Sequence, residues 1–131
     1  MTRREIRDGI FLILFRYEFY DEEGFRLQSD QFFSDLAAEK KEDEDYMRKK
    51  LDGILSKLPE LDNALNERTT HWKTSRMGKV ELAILRLGLY ELLYEEDIPN
   101  NVAVNEAVEL AKKYGTEDSF SFVNGVLAKF L

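Results

Sequence analysis

Apolar residues recur at intervals of three and four along most of the 131-residue chain. This spacing places them on one face of a helix. The first series, which includes Ile6, Ile10 and Leu14, predicts a helix from a Thr2 cap through about Tyr20. Because no alternating run of strand length stands out, the pattern predicts an all-α fold.

The middle of the chain predicts three further helices, separated by charge and proline signals. A short helix is expected from Ser29 or Asp30 through Ala38. The acidic run of residues 39–45 is interpreted as a bridge to a third helix. The apolar stripe of that third helix consists of Met47, Leu51, Ile54, Leu55 and Leu58. Pro59 ends this helix and suits the first turn of the next one.

The C-terminal half begins with a helix that is expected to lie in the core. Between about Met77 and Glu95, the charged residues Glu81, Arg86 and Glu91 fall about 140° apart around the helix axis. No broad polar face remains, and such a helix is normally central. The segment "VAVNEAVELAKKYG" then predicts an amphipathic helix that ends at Gly115.

The last predicted helix contains "SFVNGVL", which places two poor helix formers, Asn124 and Gly125, among apolar residues. Asn-Gly is typical of a hairpin turn, but the apolar spacing favours a helix that starts near Thr116. Its inward stripe consists of Phe120, Val123, Leu127 and Phe130. We expect Asn124 to hydrogen-bond to a neighbouring helix and Gly125 to permit a close helix approach. We likewise expect Asn105 to hydrogen-bond to a neighbouring helix and Gly88 to permit a close helix approach.

The composition is that of an ordinary folded domain, with 44% hydrophobic and 34% charged residues. The length suits one domain over residues 1–131. Cysteine is absent, which excludes disulfides and thiolate chemistry and fits a reducing compartment. The longest apolar stretch, Val80 to Tyr94, is too short and too charged to cross a bilayer, and no signal peptide is visible. We therefore expect a cytoplasmic protein that does not enter a membrane.

No residue constellation suggests catalysis or a metal site. His71 is the only histidine, and the spacing suggests no serine and carboxylate partners for it. Glycine-rich loops that cradle nucleotide phosphates are absent. The acidic run lacks the spacing and the central glycine of a calcium loop. The sequence therefore predicts no enzyme activity, no metal and no cofactor.

The charge distribution limits the kind of nucleic acid that the chain can bind. The net charge of −7 argues against a long duplex, which needs a basic footprint. The N-terminal segment "TRREIRD" nevertheless carries Arg3, Arg4 and Arg7 beside Glu5 and Asp8. A local basic end on an acidic body can bind a short anionic segment.

Three features recur in order in the C-terminal half: the "AILRLGLYEL" helix, "IP" followed by "VAVNEAVELAKKYG", and "EDS" followed by "FVNGVL". In these features the chain resembles the NusB family of bacterial transcription antitermination factors. The resemblance covers roughly Trp72 to Leu127, whereas Phe25 to Arg68 matches only as a helical pattern. The same module also occurs fused to RNA cytosine methyltransferases. No such domain follows in this chain, so the stand-alone factor is the better match.

The resemblance implies a compact bundle of about seven helices in two packed helical subdomains. It also implies binding of boxA RNA together with NusE, a protein of the small ribosomal subunit. Other Nus factors would then connect this complex to the RNA polymerase elongation complex on ribosomal RNA operons. Some relatives self-associate, so both a monomer and a homodimer stay open for the free protein. The alternative function is a helical protein-interaction module of the same fold with little RNA binding of its own.

The resemblance assigns Arg3, Arg4 and Arg7 to RNA contacts. The planar guanidinium bonds phosphate through two N–H groups and stacks on bases, which suits single-stranded RNA. From the residues alone, a solubilising helix start is the alternative. Glu5 stands where many relatives have a basic residue, so the partner protein is expected to supply part of the attraction.

The resemblance also places Asp118 and Phe122 at the RNA and NusE surface, and Glu81 toward NusE. Phe122 lies off the apolar stripe, where it either packs against another helix or stacks on a base. Asp118 repels phosphate, so its expected roles are to cap the helix, to bond a base edge or to meet a basic partner. For Glu81 and Arg86 the alternative is an internal ion pair or a connection between helices.

Overall fold

The computed structural model of the chain describes residues 1–36 and 40–131. Within these ranges the chain forms seven α-helices and no strand. The helices are α1 (Arg3–Arg16), α2 (Glu22–Leu36), α3 (Lys41–Ser56), α4 (Leu58–Arg68), α5 (Lys79–Tyr94), α6 (Asn100–Tyr114) and α7 (Ser119–Ala128). They divide into two compact units, residues 1–53 and 54–131, which we call unit 1 and unit 2. The expected all-α fold of about seven helices is confirmed, whereas a single domain over residues 1–131 stays a prediction.

Unit 1 builds its core from the apolar stripes of its helices. The apolar side chains that are at most 7% exposed are Ile10, Phe11, Ile13, Leu14, Phe25, Phe33, Met47 and Leu51. Short 3-10 turns over Tyr17–Phe19 in unit 1 and Thr74–Arg76 in unit 2 complete the regular structure of the described residues. The series of apolar residues in the first predicted helix is confirmed as a buried face.

Helix α2 begins earlier than the sequence predicted, at Glu22 instead of Ser29 or Asp30. The backbone N–H of Gly24 donates a 2.7 Å hydrogen bond to Asp21 Oδ1, which closes the first turn. Two glutamates in that turn also favour a helix start. The predicted end at Ala38 lies outside the described residues.

Over its described part, the acidic run is not a bridge but the beginning of α3, which starts at Lys41. Three acidic residues occupy the first turn, where the helix dipole favours negative charge. The amino group of Met1 lies 3.0 Å from Asp43 Oδ2 and adds an ion pair there. Glu39, at the start of the run, lies outside the described residues.

Unit 2 is organised around α5, in which every residue from 82 to 89 is buried. This confirms the central position expected from its scattered charges. Arg86 pairs with Asp62 of α4 through two hydrogen bonds, Nε to Oδ1 at 2.9 Å and Nη2 to Oδ2 at 2.7 Å. The internal ion pair that was the alternative for Arg86 is therefore present.

The three C-terminal helices pack closely at Gly88 of α5. A Cβ added there would lie 3.0 Å from Leu127 Cδ1 on α7 and 3.3 Å from Ala107 Cβ on α6. Both distances are short for carbon atoms, so a side chain at Gly88 would require Leu127 and Ala107 to shift. The expected close approach is confirmed at Gly88.

Candidate functional site

The start of α1 carries the predicted arginines and is fixed by a capping box. The N–H of Glu5 donates to Thr2 Oγ1 at 3.0 Å, and the N–H of Thr2 donates to Glu5 Oε1 at 2.8 Å. These two bonds satisfy N–H groups that have no partner within the helix. Thr2 is thus the cap that the sequence predicted.

Glu5 is engaged by this capping box and so acts on its own helix. Hydrogen bonds from the backbone N–H and then the side chain of Thr2 lower the pKa of Glu5 below its usual value. Its negative charge sits in the first turn, where the helix dipole favours it. The Glu5 carboxylate, which reduces the positive charge around the arginines, therefore stabilises α1.

The three arginines differ in exposure. Arg3 and Arg4 occupy the first two positions of α1 and are exposed. The Arg3 side chain makes no hydrogen bond or ion pair with any residue of unit 1 that the structure describes. Arg7, by contrast, is only 8% exposed. Arg3 and Arg4 are therefore the two solvent-exposed arginines of this cluster.

A hydrogen-bonded corner in unit 2 joins the starts of α5 and α7. The Ser119 hydroxyl donates to Glu81 Oε1 at 2.6 Å and accepts from the Thr116 N–H at 2.9 Å. Gly115 is required at this corner, because an added Cβ would collide with Ser119 and lie 2.7 Å from Ala111 O. Glu81 is therefore held by a connection between helices, which was one of the two alternatives for it.

Asp118 and Phe122 both lie beside this corner. Asp118 precedes α7 and is exposed, and its side chain makes no capping hydrogen bond, so the capping role proposed for it is wrong. Phe122 is half-buried. The helix itself starts at Ser119 and not near Thr116, because residues 116–119 form a turn that is closed by the Ser119 N–H donating to Thr116 O at 3.1 Å.

The corner opens into a first cavity of about 250 Å³. Three predicted site residues line it together: Glu81, Asp118 and Phe122. Trp72 and Arg76, from the segment between α4 and α5, line it as well. The arrangement places an aromatic surface, a cation and two carboxylates around one opening, which suits a nucleobase or a basic peptide.

A second cavity of about 290 Å³, which we call the Trp72 groove, shares Trp72 and Phe122 with the first. Gly125 forms part of its wall. An added Cβ at Gly125 would meet no atom of another element within 4 Å, so the close helix approach predicted for Gly125 is wrong.

The hydrogen bonds predicted for the asparagines are also not seen. Asn124 and Asn105 are exposed, and neither side chain bonds to another residue in the part of unit 2 that is described. The spacing of apolar residues therefore predicted the helices correctly, but the hydrogen bonds predicted for Asn124 and Asn105 are wrong.

Sequence reasoning missed Trp72, Arg76 and Ser119 as parts of this site. Trp72 lies in a polar segment without helical spacing and is 54% exposed, which is unusual for so large an apolar side chain. That exposure was not readable from the spacing. The "EDS" motif was the only sequence feature that pointed to Ser119. Its hydrogen bond to Glu81 joins residues that are 38 positions apart in the chain.

Other classes of site find no support in the described residues. No group of His, Asp and Glu side chains among them is arranged to hold a metal ion. No helix within the described ranges is long and apolar enough to cross a membrane.

Comparisons with known proteins give one consistent result. The family model described as the NusB family matches residues 4–131. The transcription antitermination protein NusB of Agathobacter rectalis is 48% identical over 130 residues, which cover 99% of each chain. The structure of T. maritima NusB superposes with a TM-score of 0.85 and 38% identity, covering 98% of this chain and 89% of that one. A chain from the crystal structure of antitermination factors NusB and NusE in complex with dsRNA gives a TM-score of 0.80 and 28% identity, covering 98% and 96%.

Proposed function

Because the chain belongs to the NusB family, we propose that it is a transcription antitermination factor that binds boxA RNA together with NusE. It acts in the cytoplasm as an adaptor without catalytic activity. Through other Nus factors, the complex joins the RNA polymerase elongation complex and supports antiterminated transcription of ribosomal RNA operons. A similar chain has been crystallised with NusE and RNA, which supports both partners.

The observation that carries the RNA assignment is the exposure of Arg3 and Arg4 in the first turn of α1. Positive side chains are unfavourable at this end of a helix, where the dipole is already positive. Together with the helix N–H groups they create a local positive field on a chain of net charge −7. Such a field attracts a short anionic segment.

The other proposed site residues are assigned contacts according to where they lie within their own unit. Asp118 and Phe122 present a hydrogen-bond acceptor and an aromatic surface to RNA beside the first cavity. Asp118 and Glu81 also offer negative charge to NusE, although one oxygen of Glu81 is already bound by Ser119. Arg7 is the weakest of the proposed RNA contacts because it is buried.

A helical module that binds only NusE is the second candidate. The net charge of −7 and the acidic Asp118 and Glu81 favour it, since both features weaken attraction to phosphate. It differs from the first candidate in a single measurable property, which is selectivity for boxA RNA.

Fluorescence anisotropy of a short labelled boxA RNA tests the proposal, with a scrambled RNA of the same composition as the control. The protein is titrated alone and in the presence of purified NusE. We expect boxA-selective binding that NusE strengthens. Binding of NusE without any RNA preference would instead establish the protein-interaction module.

A further inference from the structure

Gly125 lies inside α7, where glycine is the least favourable residue apart from proline. The fold of unit 2 does not need it, because an added Cβ would find open space. The missing side chain instead leaves the backbone of α7 open along one wall of the Trp72 groove. Glycine at such a place is explained by close approach of a ligand to the backbone.

The opposite wall of the groove is held in place by the end of α4. Lys73 Nζ donates to the carbonyl oxygens of Asn66 at 2.6 Å and Thr69 at 2.8 Å. Asn66 Oδ1 accepts from the Thr74 N–H at 2.8 Å. Lys73 and Thr74, which follow Trp72, are thus bonded to the end of α4 and to Thr69, so the exposed indole lies on a segment that is tied to that helix.

A second pair of bonds fixes the far end of α7. Arg68 Nη1 donates to Lys129 O at 2.7 Å, and Lys129 Nζ donates to Arg68 O at 3.0 Å. These bonds tie the end of α4 to the end of α7 beside the groove. A site that is already formed loses little entropy when a ligand enters it.

The charge of the groove differs from that of the whole chain. The chain has 26 acidic and 19 basic residues. Among the described residues that line the groove, His71 and Lys129 are ionisable and none is a carboxylate. An indole, a half-buried phenyl ring and a neighbouring ammonium suit an anionic ligand with a flat ring.

We propose that the Trp72 groove binds one unstacked base of single-stranded RNA, with the base on Trp72 and the sugar–phosphate backbone passing over Gly125. The inference rests on the proposed function and extends it to residues beyond the α1 arginines. RNA is favoured over a peptide because the groove shares Trp72 and Phe122 with the cavity of the proposed RNA contacts. Base stacking on an aromatic side chain tolerates many sequences, so this subsite adds affinity more than selectivity.

The central experiment compares Gly125→Leu with Asn124→Leu. Both substitutions replace a poor helix former in α7, but Asn124 is exposed and does not line the groove. We expect Gly125→Leu to weaken boxA RNA binding in the presence of NusE by roughly tenfold, the loss expected when one stacked base is displaced. Asn124→Leu should bind like the wild type, and both variants should have a thermal midpoint at least as high.

Trp72 provides an independent readout because it is the only tryptophan. Its fluorescence should be quenched when boxA RNA is added to the complex with NusE. Trp72→Ala should weaken RNA binding by roughly tenfold, and Trp72→Phe should restore most of it, since both aromatic rings stack. Because phenylalanine would also restore a packing role, Trp72→Ala should in addition keep the thermal midpoint of the wild type, as expected at a position that is 54% exposed.

The possible outcomes distinguish a failure of the groove assignment from a failure of the proposed function. If the wild type binds boxA RNA with NusE and Gly125→Leu binds it equally well, the groove assignment is wrong and the function stands. If Gly125→Leu loses affinity for NusE alone but keeps that for RNA, the occupant is a protein and the inference is overturned. If the wild type shows no RNA binding under any of these conditions, the proposed function and the groove assignment both fail.

Discussion

The hydroxyl of Ser119, at the start of α7, donates a 2.6 Å hydrogen bond to Glu81 Oε1, in the first turn of α5. Ser119 is 2% exposed, so this bond is shielded from water. The Ser119 hydroxyl oxygen also accepts a hydrogen bond from the Thr116 N–H, which fixes the connection between α6 and α7. The serine of the "EDS" motif therefore has an architectural role, whereas the neighbouring Asp118 points outward.

Replacement of Ser119 by alanine is expected to lower the free energy of unfolding by about 2 kcal/mol, since it removes a buried donor to a charged acceptor. Urea denaturation monitored by circular dichroism measures this loss. Ser121→Ala is the matched control, because Ser121 is exposed on the same helix and should change stability by less than about 0.5 kcal/mol. Equal effects of the two substitutions would show that the Ser119–Glu81 bond contributes nothing specific.

Gly88 and Gly125 should respond oppositely to an added side chain. Gly88→Val inserts atoms where a Cβ is already 3.0 Å from Leu127, and overpacking of this kind costs about 1–3 kcal/mol. Gly125→Ala has open space and gains helix propensity, so it should raise the free energy of unfolding by about 1 kcal/mol. Denaturant midpoints of both variants provide the measurement. A loss of stability in Gly125→Ala would contradict the open environment of that position.

The same two glycines show what local sequence could and could not predict. Spacing of apolar residues correctly indicated that both lie in helices, because that spacing is a property of one segment. Whether a neighbouring helix approaches depends on residues far away in the chain, such as Ala107 and Leu127 for Gly88. From the sequence alone, Gly88 and Gly125 have the same interpretation, and only the packing distinguishes them.

The candidate site was also predictable only in part from the sequence. Glu81, Asp118 and Phe122 were named from motifs and do line one cavity. Trp72 and Arg76 were missed because they lie between α4 and α5, in a segment whose path is set by bonds to Asn66 and Thr69, which no periodicity encodes. Arg7 was grouped with its neighbours by sequence, but one further turn of the helix carries it into a buried position.

Acid should remove the contribution of Glu5 to the capping box. Hydrogen bonds to Thr2 lower the pKa of Glu5 in the folded state below its ordinary value of 4.5. A depressed folded pKa means that this stabilisation is present above the unfolded pKa and is lost as the pH falls through the folded pKa.

Glu5→Gln tests this dependence, because it removes the charge while keeping an amide oxygen that can accept the Thr2 N–H. We expect the thermal midpoint of the wild type to exceed that of Glu5→Gln at neutral pH. The difference should shrink as the pH falls below about 4.5. A difference that stays constant through the acidic range would mean that the Glu5 charge has no part in the effect.

The arginines of α1 should differ in their effect on RNA binding according to exposure. Each phosphate contact contributes roughly 0.7 to the slope of log affinity against log salt for single strands. Arg3→Ala combined with Arg4→Ala is therefore expected to lower the magnitude of this slope by about 1.4 for boxA RNA with NusE. Anisotropy titrations at several salt concentrations give the slope.

Arg7→Ala and Arg26→Ala complete this comparison within unit 1. Arg26 is exposed on α2, so its removal lowers the net charge by one unit, half the change of the double substitution, without touching α1. We expect Arg26→Ala to leave the salt slope unchanged within error. Arg7 is 8% exposed, so Arg7→Ala should reduce thermal stability more than it reduces the slope. If Arg26→Ala lowers the slope by about half as much as the double substitution does, the attraction to RNA comes from net charge and not from the start of α1.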